Sequence, residues 1–172
     1  MKTLNDFSFE GKRALIRVDF NVPLNHDKRV TDTTRIQAAL PTVNHILDNG
    51  GSVVLMSHIG RPKGGYDAAF TLENIVYKLE DLLGRSVIFA GDCIGDNAFS
   101  VTAGLQPGNV VLLDNLRFYN EEKSGDEAFA KKLSAHGDIY VNDAFGTAHR
   151  AHASTAVIVN NFKGNACFRS EE

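Results

Sequence analysis

Residues 52–65 read SVVLMSHIGRPKGG, and the change of character inside this stretch decides the fold. The first five residues are a nearly continuous apolar run. A strand covered on one face alternates apolar and polar residues, whereas a parallel strand covered on both faces does not need to. The second half turns to His58, Arg61 and Lys63, threaded with glycines at 60, 64 and 65. A plain solvated loop has no need of that mixture. Basic side chains at the end of a buried strand, beside glycines that let backbone approach closely, read as one wall of a site for a small, multiply charged anion.

Four further runs of the same kind lie along the chain: RALIRVDF at 13–20, SVIFAG at 86–91, NVVLLDN at 109–115 and DIYVNDAF at 138–145. Helical periodicity falls between some of them. From 35 to 49, Ile36, Ala39, Leu40, Val43, Ile46 and Leu47 form one stripe. Asp32 or Thr33 caps its start and Gly50 closes it, while Pro41 is expected to kink or split it. From 71 to 83 the spacing returns at Leu72, Ile75, Val76, Leu79, Leu82 and Leu83, between Thr71 and Gly84. A third helix is expected from about 126 to 136. The alternation predicts an α/β fold, a Rossmann-like three-layer sandwich around a mainly parallel sheet.

The chain has 172 residues, the size of one domain. A formal net charge of −3, with no basic run, argues against a nucleic-acid partner. Cys93 and Cys167 lie far apart and form no CxxC pair, which suits reduced thiols. The first dozen residues have no apolar core, and no run approaches the ~20 residues of a membrane span. The expectation is a cytoplasmic protein without a membrane or nucleic-acid partner.

Ligands of open parallel sheets bind beyond the carboxyl ends of the strands. The expected strand ends carry Asp19 and Asn21, then His58 and Arg61, then Asn115 and Arg117, then Asn142 and Asp143, with His149, Arg150 and His152 soon after. Arg35 falls in the first turn of its helix. Four guanidiniums and some histidines at one rim fit phosphate or carboxylate, because each guanidinium offers planar paired donors. Asp19 and Asn21 suit a hydroxyl of the same ligand. Each residue also has a plainer reading. A lone Arg or His after a strand is more often solvated or ion-paired. Arg17, inside a strand, is expected to pair with a carboxylate. His149 and His152 lack the further ligands of a metal site. His26, His45 and His136 read as surface or cap residues, and 120–127 as a solvated turn.

Four words, RVDFNVP (17–23), SHIGRP (57–62), LLDNLRF (112–118) and NDAFGTAHRAH (142–152), resemble phosphoglycerate kinase in order and spacing. The resemblance covers the amino-terminal half of that family, through about residue 156. Asp114 stands where the family usually has Glu. The family is a two-domain monomer that moves a phosphoryl group between 1,3-bisphosphoglycerate and ADP. By position, the resemblance implies that Asp19, Phe20, Asn21, His58, Ile59, Gly60, Arg61, Arg117 and Arg150 hold 3-phosphoglycerate or 1,3-bisphosphoglycerate. It implies that Arg35 also touches the substrate and steadies the transferring phosphoryl group, as the one catalytic residue.

In the family, Mg-ATP or Mg-ADP belongs to a carboxyl-terminal domain. This sequence shows no GxxxxGK followed by Ser or Thr; EGKRA at 10–14 lacks the first glycine and the hydroxyl. The reading is therefore a phosphoglycerate-binding domain over 1–156, the start of an interdomain region over 157–172, and a missing nucleotide-binding domain as partner. No cofactor is expected on this domain alone, nor turnover. The alternative is a stand-alone phosphate- or anion-binding module. An incompletely folded piece with apolar residues exposed near Phe162 and Phe168 is a third expectation.

Overall fold

The structure is a computed structural model and describes residues 1–144 and 150–169. His149 lies outside the described residues. In chain order the elements are β1 (Arg13–Arg17), α1 (Thr34–Asp48), β2 (Ser52–Met56), a 3-10 turn (Leu72–Ile75) leading into α2 (Val76–Leu83), β3 (Ile88–Phe89), α3 (Asp96–Ala103), β4 (Val110–Leu112), a 3-10 turn (Leu116–Phe118), α4 (Asn120–Ser124), α5 (Glu127–Ser134), β5 (Ile139–Asn142), a 3-10 turn (Val157–Asn161) and β6 (Ala166–Phe168). The strands form one sheet in the order β3-β4-β2-β1-β5-β6. All five pairings are parallel.

Successive side chains of a strand point to opposite faces, and the central strands bury both. Ala14, Ile16, Val53, Leu55, Val110, Leu112, Ile139 and Val141 pack on one side, with the apolar stripe of α1. Leu15, Val54, Met56, Val111 and Tyr140 pack on the other, with Ala98 of α3 and Phe129, Ala130 and Leu133 of α5. This is the expected three-layer α/β arrangement. Burying one Ile, Leu or Val contributes ~1.5–3 kcal/mol, so the two apolar layers are the main holding force.

Helix boundaries follow local chemistry. Asp32 Oδ1 accepts the N–H and the hydroxyl of Thr34 ahead of α1. Thr71 Oγ1 accepts the Glu73 N–H, and Gly84 closes α2 at φ +69°. Asp126 caps α5 by accepting the Phe129 N–H.

Several expectations are corrected. The α1 helix runs unbroken through Pro41. Pro41 and Gln37 lie on its exposed face, where a carbonyl left without its helical donor is open to water. The Ala38 carbonyl one position on receives the Arg169 guanidinium. The run at 86–91 yields only the two-residue edge strand β3. Helix α3 and strand β6 have no clear signature in the sequence, because α3 is rich in Asp, Asn and β-branched residues and β6 is too short to show a period. Residues 157–169 pack on the same sheet: Ile158 and Cys167 are fully buried. Phe162 is buried as well, and Phe168 is half-buried in β6, so the expected exposed aromatic patch does not form. His136 is a core residue rather than a surface cap. Its Nε2 lies 2.7 Å from the Cys93 carbonyl, its Nδ1 lies 2.8 Å from Thr102 Oγ1, and its ring stacks on Phe99.

Candidate functional site

Parallel register brings the carboxyl ends of the central strands level. Arg17, the last residue of β1, stands opposite Met56 of β2 and Asn142 of β5. The segments leaving these strands meet at one rim around a cleft of about 300 Å³. Asp19, Asn21, Arg35, His58, Gly60, Arg61, Arg117 and Arg150 line it. Eight of the ten residues expected at the site are thus together. Phe20 and Ile59 instead turn their side chains into the core. Their backbone groups are also engaged: Phe20 N–H donates to Ser57 Oγ, and the Ile59 carbonyl accepts from Asn115 Nδ2.

The cleft is pinned by polar contacts between chain segments. Asn21 Oδ1 accepts the Gly60 N–H at 2.9 Å, and Asp19 Oδ1 accepts the Asn21 N–H at 3.1 Å. Arg35 Nη1 donates to the Asn21 carbonyl at 2.6 Å and lies 3.5 Å from Asp19 Oδ1. Its side chain is about half exposed, so the pair with Asp19 positions it more than it stabilises the fold. Gly60 sits at φ +63° with Phe70 against it, and a Cβ there would come within 2.3 Å of the ring.

The group expected at the end of β4 divides its work. Asn115 is fully buried. It donates to the Ile59 and Phe70 carbonyls and accepts the Arg117 N–H, tying the β2 and β4 ends together. Arg117 alone of this pair reaches the cleft, and its Nε is a buried donor with no protein partner among the described residues. Asp114 accepts from Thr71 Oγ1, Leu72 N–H and Asn115 N–H, which explains why a carboxylate stands there. Burial raises its pKa against those bonds. Asp143 likewise faces away, toward Thr42 and Arg169.

Arg17 departs from its expected role. It is completely buried. Nε donates to Ser154 Oγ at 2.9 Å, Nη1 to the Val18 carbonyl, and Nη2 lies 2.9 Å from Nδ1 of His58. Its negative counterpart is reached through Ser154, whose Oγ and N–H donate to Glu122 at 2.5 and 2.8 Å. Glu122, at 0% exposure, lies in the stretch expected to be solvated. The signal for this network is an arginine inside an apolar run. Its partners Ser154 and Glu122 are more than a hundred residues away in sequence and carry no local mark.

Four guanidiniums face one carboxylate around the cleft, so the local field is positive although the whole chain is negative. Beside it lies a second basic hollow of about 330 Å³. It shares Arg61, Arg117 and Arg150 and adds Lys63 and Lys123. Burial, and after it the charges of Arg17, Arg117, His152 and Arg150, push the His58 pKa down to about 3, so the ring is neutral. Burial also lowers His152, whose Nδ1 has no partner among the described residues. Among the described residues no group of three His, Cys, Asp or Glu side chains is placed to hold a metal ion. Gly11 and Lys12 precede β1 and so lie at the opposite end of the sheet from the cleft. The Gly-Lys pair of the sequence is therefore not part of the cleft.

Fold and cleft together define a parallel α/β domain with a cationic bay at the carboxyl ends of its strands. Comparison with known proteins narrows this class. The chain belongs to the phosphoglycerate kinase family, whose family model matches residues 4–168. Among similar relatives, the phosphoglycerate kinase of Chlorobaculum tepidum is 54% identical over 159 residues, covering 92% of this chain and 40% of the relative. That of Borrelia hermsii is 54% identical over 156 residues, covering 91% and 40%. Among solved structures, the phosphoglycerate kinase from Coxiella burnetii aligns with a TM-score of 0.85 at 32% identity, over 98% of this chain and 41% of that one. The enzyme from Pyrococcus horikoshii aligns at 0.87 and 33%, over 98% and 42%. The chain thus spans about 40% of the length of the curated relatives it matches.

Proposed function

We propose that this chain is the phosphoglycerate-binding part of a phosphoglycerate kinase. That enzyme transfers the acyl-phosphate phosphoryl group of 1,3-bisphosphoglycerate to ADP, leaving 3-phosphoglycerate and ATP, and the reverse. The single observation that carries the reading is the convergence of Arg35, Arg61, Arg117, Arg150 and His58 on one cleft that also holds Asp19 and Asn21. A three-carbon acid bearing phosphate, carboxylate and hydroxyl needs that combination. Guanidiniums take the anionic ends, and the carboxylate and amide take the hydroxyl between them.

Arg35 stands at the lip of the cleft. Its role is to meet the phosphoryl group in transit and balance charge that grows there. On the same reading, ATP or ADP would come on the nucleotide-binding domain of the family. On this reading the chain binds without turning over. Hydrogen bonds to charged groups contribute ~1.5–3 kcal/mol each, enough for roughly millimolar to micromolar binding. Catalysis asks for ~8–23 kcal/mol of barrier lowering and a closed, dry site. A cytoplasmic location and a monomeric state belong to the same reading.

Titration calorimetry at low salt tests the binding claim. 3-Phosphoglycerate should bind measurably tighter than inorganic phosphate or sulfate, and Arg35→Ala with Arg61→Ala should abolish the difference. Equal affinity for all three anions would support the stand-alone anion-binding module instead. Adding a separately produced nucleotide-binding domain should restore ATP-dependent turnover.

A further inference from the structure

We propose that Arg17 is a positioning residue of this cleft: it donates to Nδ1 of His58 and holds the imidazole as the neutral tautomer whose Nε2–H is turned to the ligand. The identity of that ligand rests on the function proposed above; the tautomer rests on the protein's own geometry.

A guanidinium carries donors and no acceptor. With Arg17 Nη2 at 2.9 Å from Nδ1, that ring nitrogen must offer its lone pair. The one proton of the neutral ring then sits on Nε2. His58 lines the cleft, and no group among the described residues engages Nε2, so Nε2–H is the polar atom the side chain has left to offer. Arg17 is not free to turn away. Its Nε is committed to Ser154 Oγ and its Nη1 to the Val18 carbonyl. Ser154 in turn is fastened twice to the buried Glu122. The hydroxyl spends its only proton on Glu122 and so can only accept from Arg17, which gives the whole chain of bonds one direction.

The groups that act on the ring come from three places: Arg17 on β1, Arg117 in the turn after β4, and Arg150 and His152 in the segment after β5. A second proton on His58 would break the bond from Arg17 and add a cation among these. The cleft therefore adds to its permanent charges a neutral donor of fixed direction. Charge alone attracts any anion. A fixed donor selects a ligand with an oxygen at one place, which is how a site tells a substituted acid from free phosphate.

Nitrogen NMR of the histidine-labelled chain reads this without any ligand. The expected pattern for His58 is an unprotonated, pyridine-like Nδ1 and a protonated, pyrrole-like Nε2, unchanged between about pH 8 and pH 5. A proton on Nδ1, or titration of the ring near about 6.5, overturns the proposal. Arg17→Lys keeps a donor and should keep the tautomer. Arg17→Met with Glu122→Gln removes both buried charges together, so the variant is not left with an unpaired carboxylate. There the ring should become a mixture of tautomers and its pKa should rise toward the ordinary range; an unchanged ring would sink the idea. Calorimetry with 3-phosphoglycerate adds a functional arm. His58→Gln places an amide donor near Nε2 and should bind within about threefold of the unaltered chain. His58→Asn places it near Nδ1 and should lose about tenfold or more; equal loss in the two overturns the donor role. If the unaltered chain ignores 3-phosphoglycerate, the ligand assignment fails while the NMR result stands by itself.

Discussion

The side-chain oxygen of Asn21 accepts the backbone N–H of Gly60 at 2.9 Å, tying the segment that leaves β1 to the segment that leaves β2. The two walls of the cleft are therefore held together before any ligand arrives. Pre-ordering of this kind lowers the entropy cost of binding a small anion, and it makes the loop around Gly60 sensitive to single substitutions.

Gly60→Ala should be costly. The added methyl would meet the Phe70 ring at 2.3 Å, and the positive φ disfavours any side chain. The expected loss is about 1–3 kcal/mol by urea denaturation, together with weaker 3-phosphoglycerate binding. A variant as stable as the original would show that the loop is looser than the Asn21 contact implies.

Glu122→Gln should be among the most damaging single changes to stability. It leaves the buried Arg17 charge without its negative counterpart, an effect worth about 3–5 kcal/mol where it has been measured in other proteins. Chemical denaturation reads it directly, and a loss under about 1 kcal/mol would mean that Ser154 and the Val18 carbonyl suffice for Arg17.

The pH dependence of stability should carry the mark of Asp143. Burial pushes its pKa up to about 6, with Arg169 and Thr42 opposing. The folded state thus holds the proton more tightly than the unfolded state, whose carboxyl titrates near about 3.9. The stabilisation is full below that value and is lost as pH rises through about 6. Asp143→Asn should flatten this fall, which is of order 1–3 kcal/mol between those limits. Melting curves at a series of pH values would check it, and an unchanged profile in the variant would count against the buried carboxyl.

Lysines and arginines at the rim should separate by salt. Arg117→Ala and Arg150→Ala should each weaken 3-phosphoglycerate binding roughly tenfold to a hundredfold, since direct bonds to a charged ligand are lost. Lys63→Ala and Lys123→Ala lie in the neighbouring hollow. Their effect should be smaller and should fade as ionic strength rises. Calorimetry at low and high salt measures both, and identical salt slopes would merge the two hollows into one site.

Much of this architecture is legible in the sequence. The continuous apolar runs of β1, β2, β4 and β5 and the stripes of α1 and α2 are local patterns, and each element falls in the stretch its pattern marks, although the stripe from 71 opens as a 3-10 turn before α2. The family words are legible for the same reason, since each is a contiguous stretch. The misses are of another kind. Helix α3 and strand β6 are stabilised by what they pack on, so their own residues show little preference. Pro41 reads as a break because the sequence does not show that its helix face is solvated.

The amino-acid order by itself determined the layered parallel sheet and the gathering of arginines behind its strands, because hydrophobic period and strand-end composition are properties of neighbouring residues. Only the tertiary structure decided which polar groups face the cleft and which hold it up. Asn115, Asp114 and Asp143 stand at strand ends as much as Arg117 does, yet they turn inward to satisfy buried donors. Arg17, Ser154, Glu122 and His58 form one network from four distant segments. Burial and hydrogen-bond partnership across such distances are set by the packed chain as a whole, and they divide ligand-facing groups from structural ones.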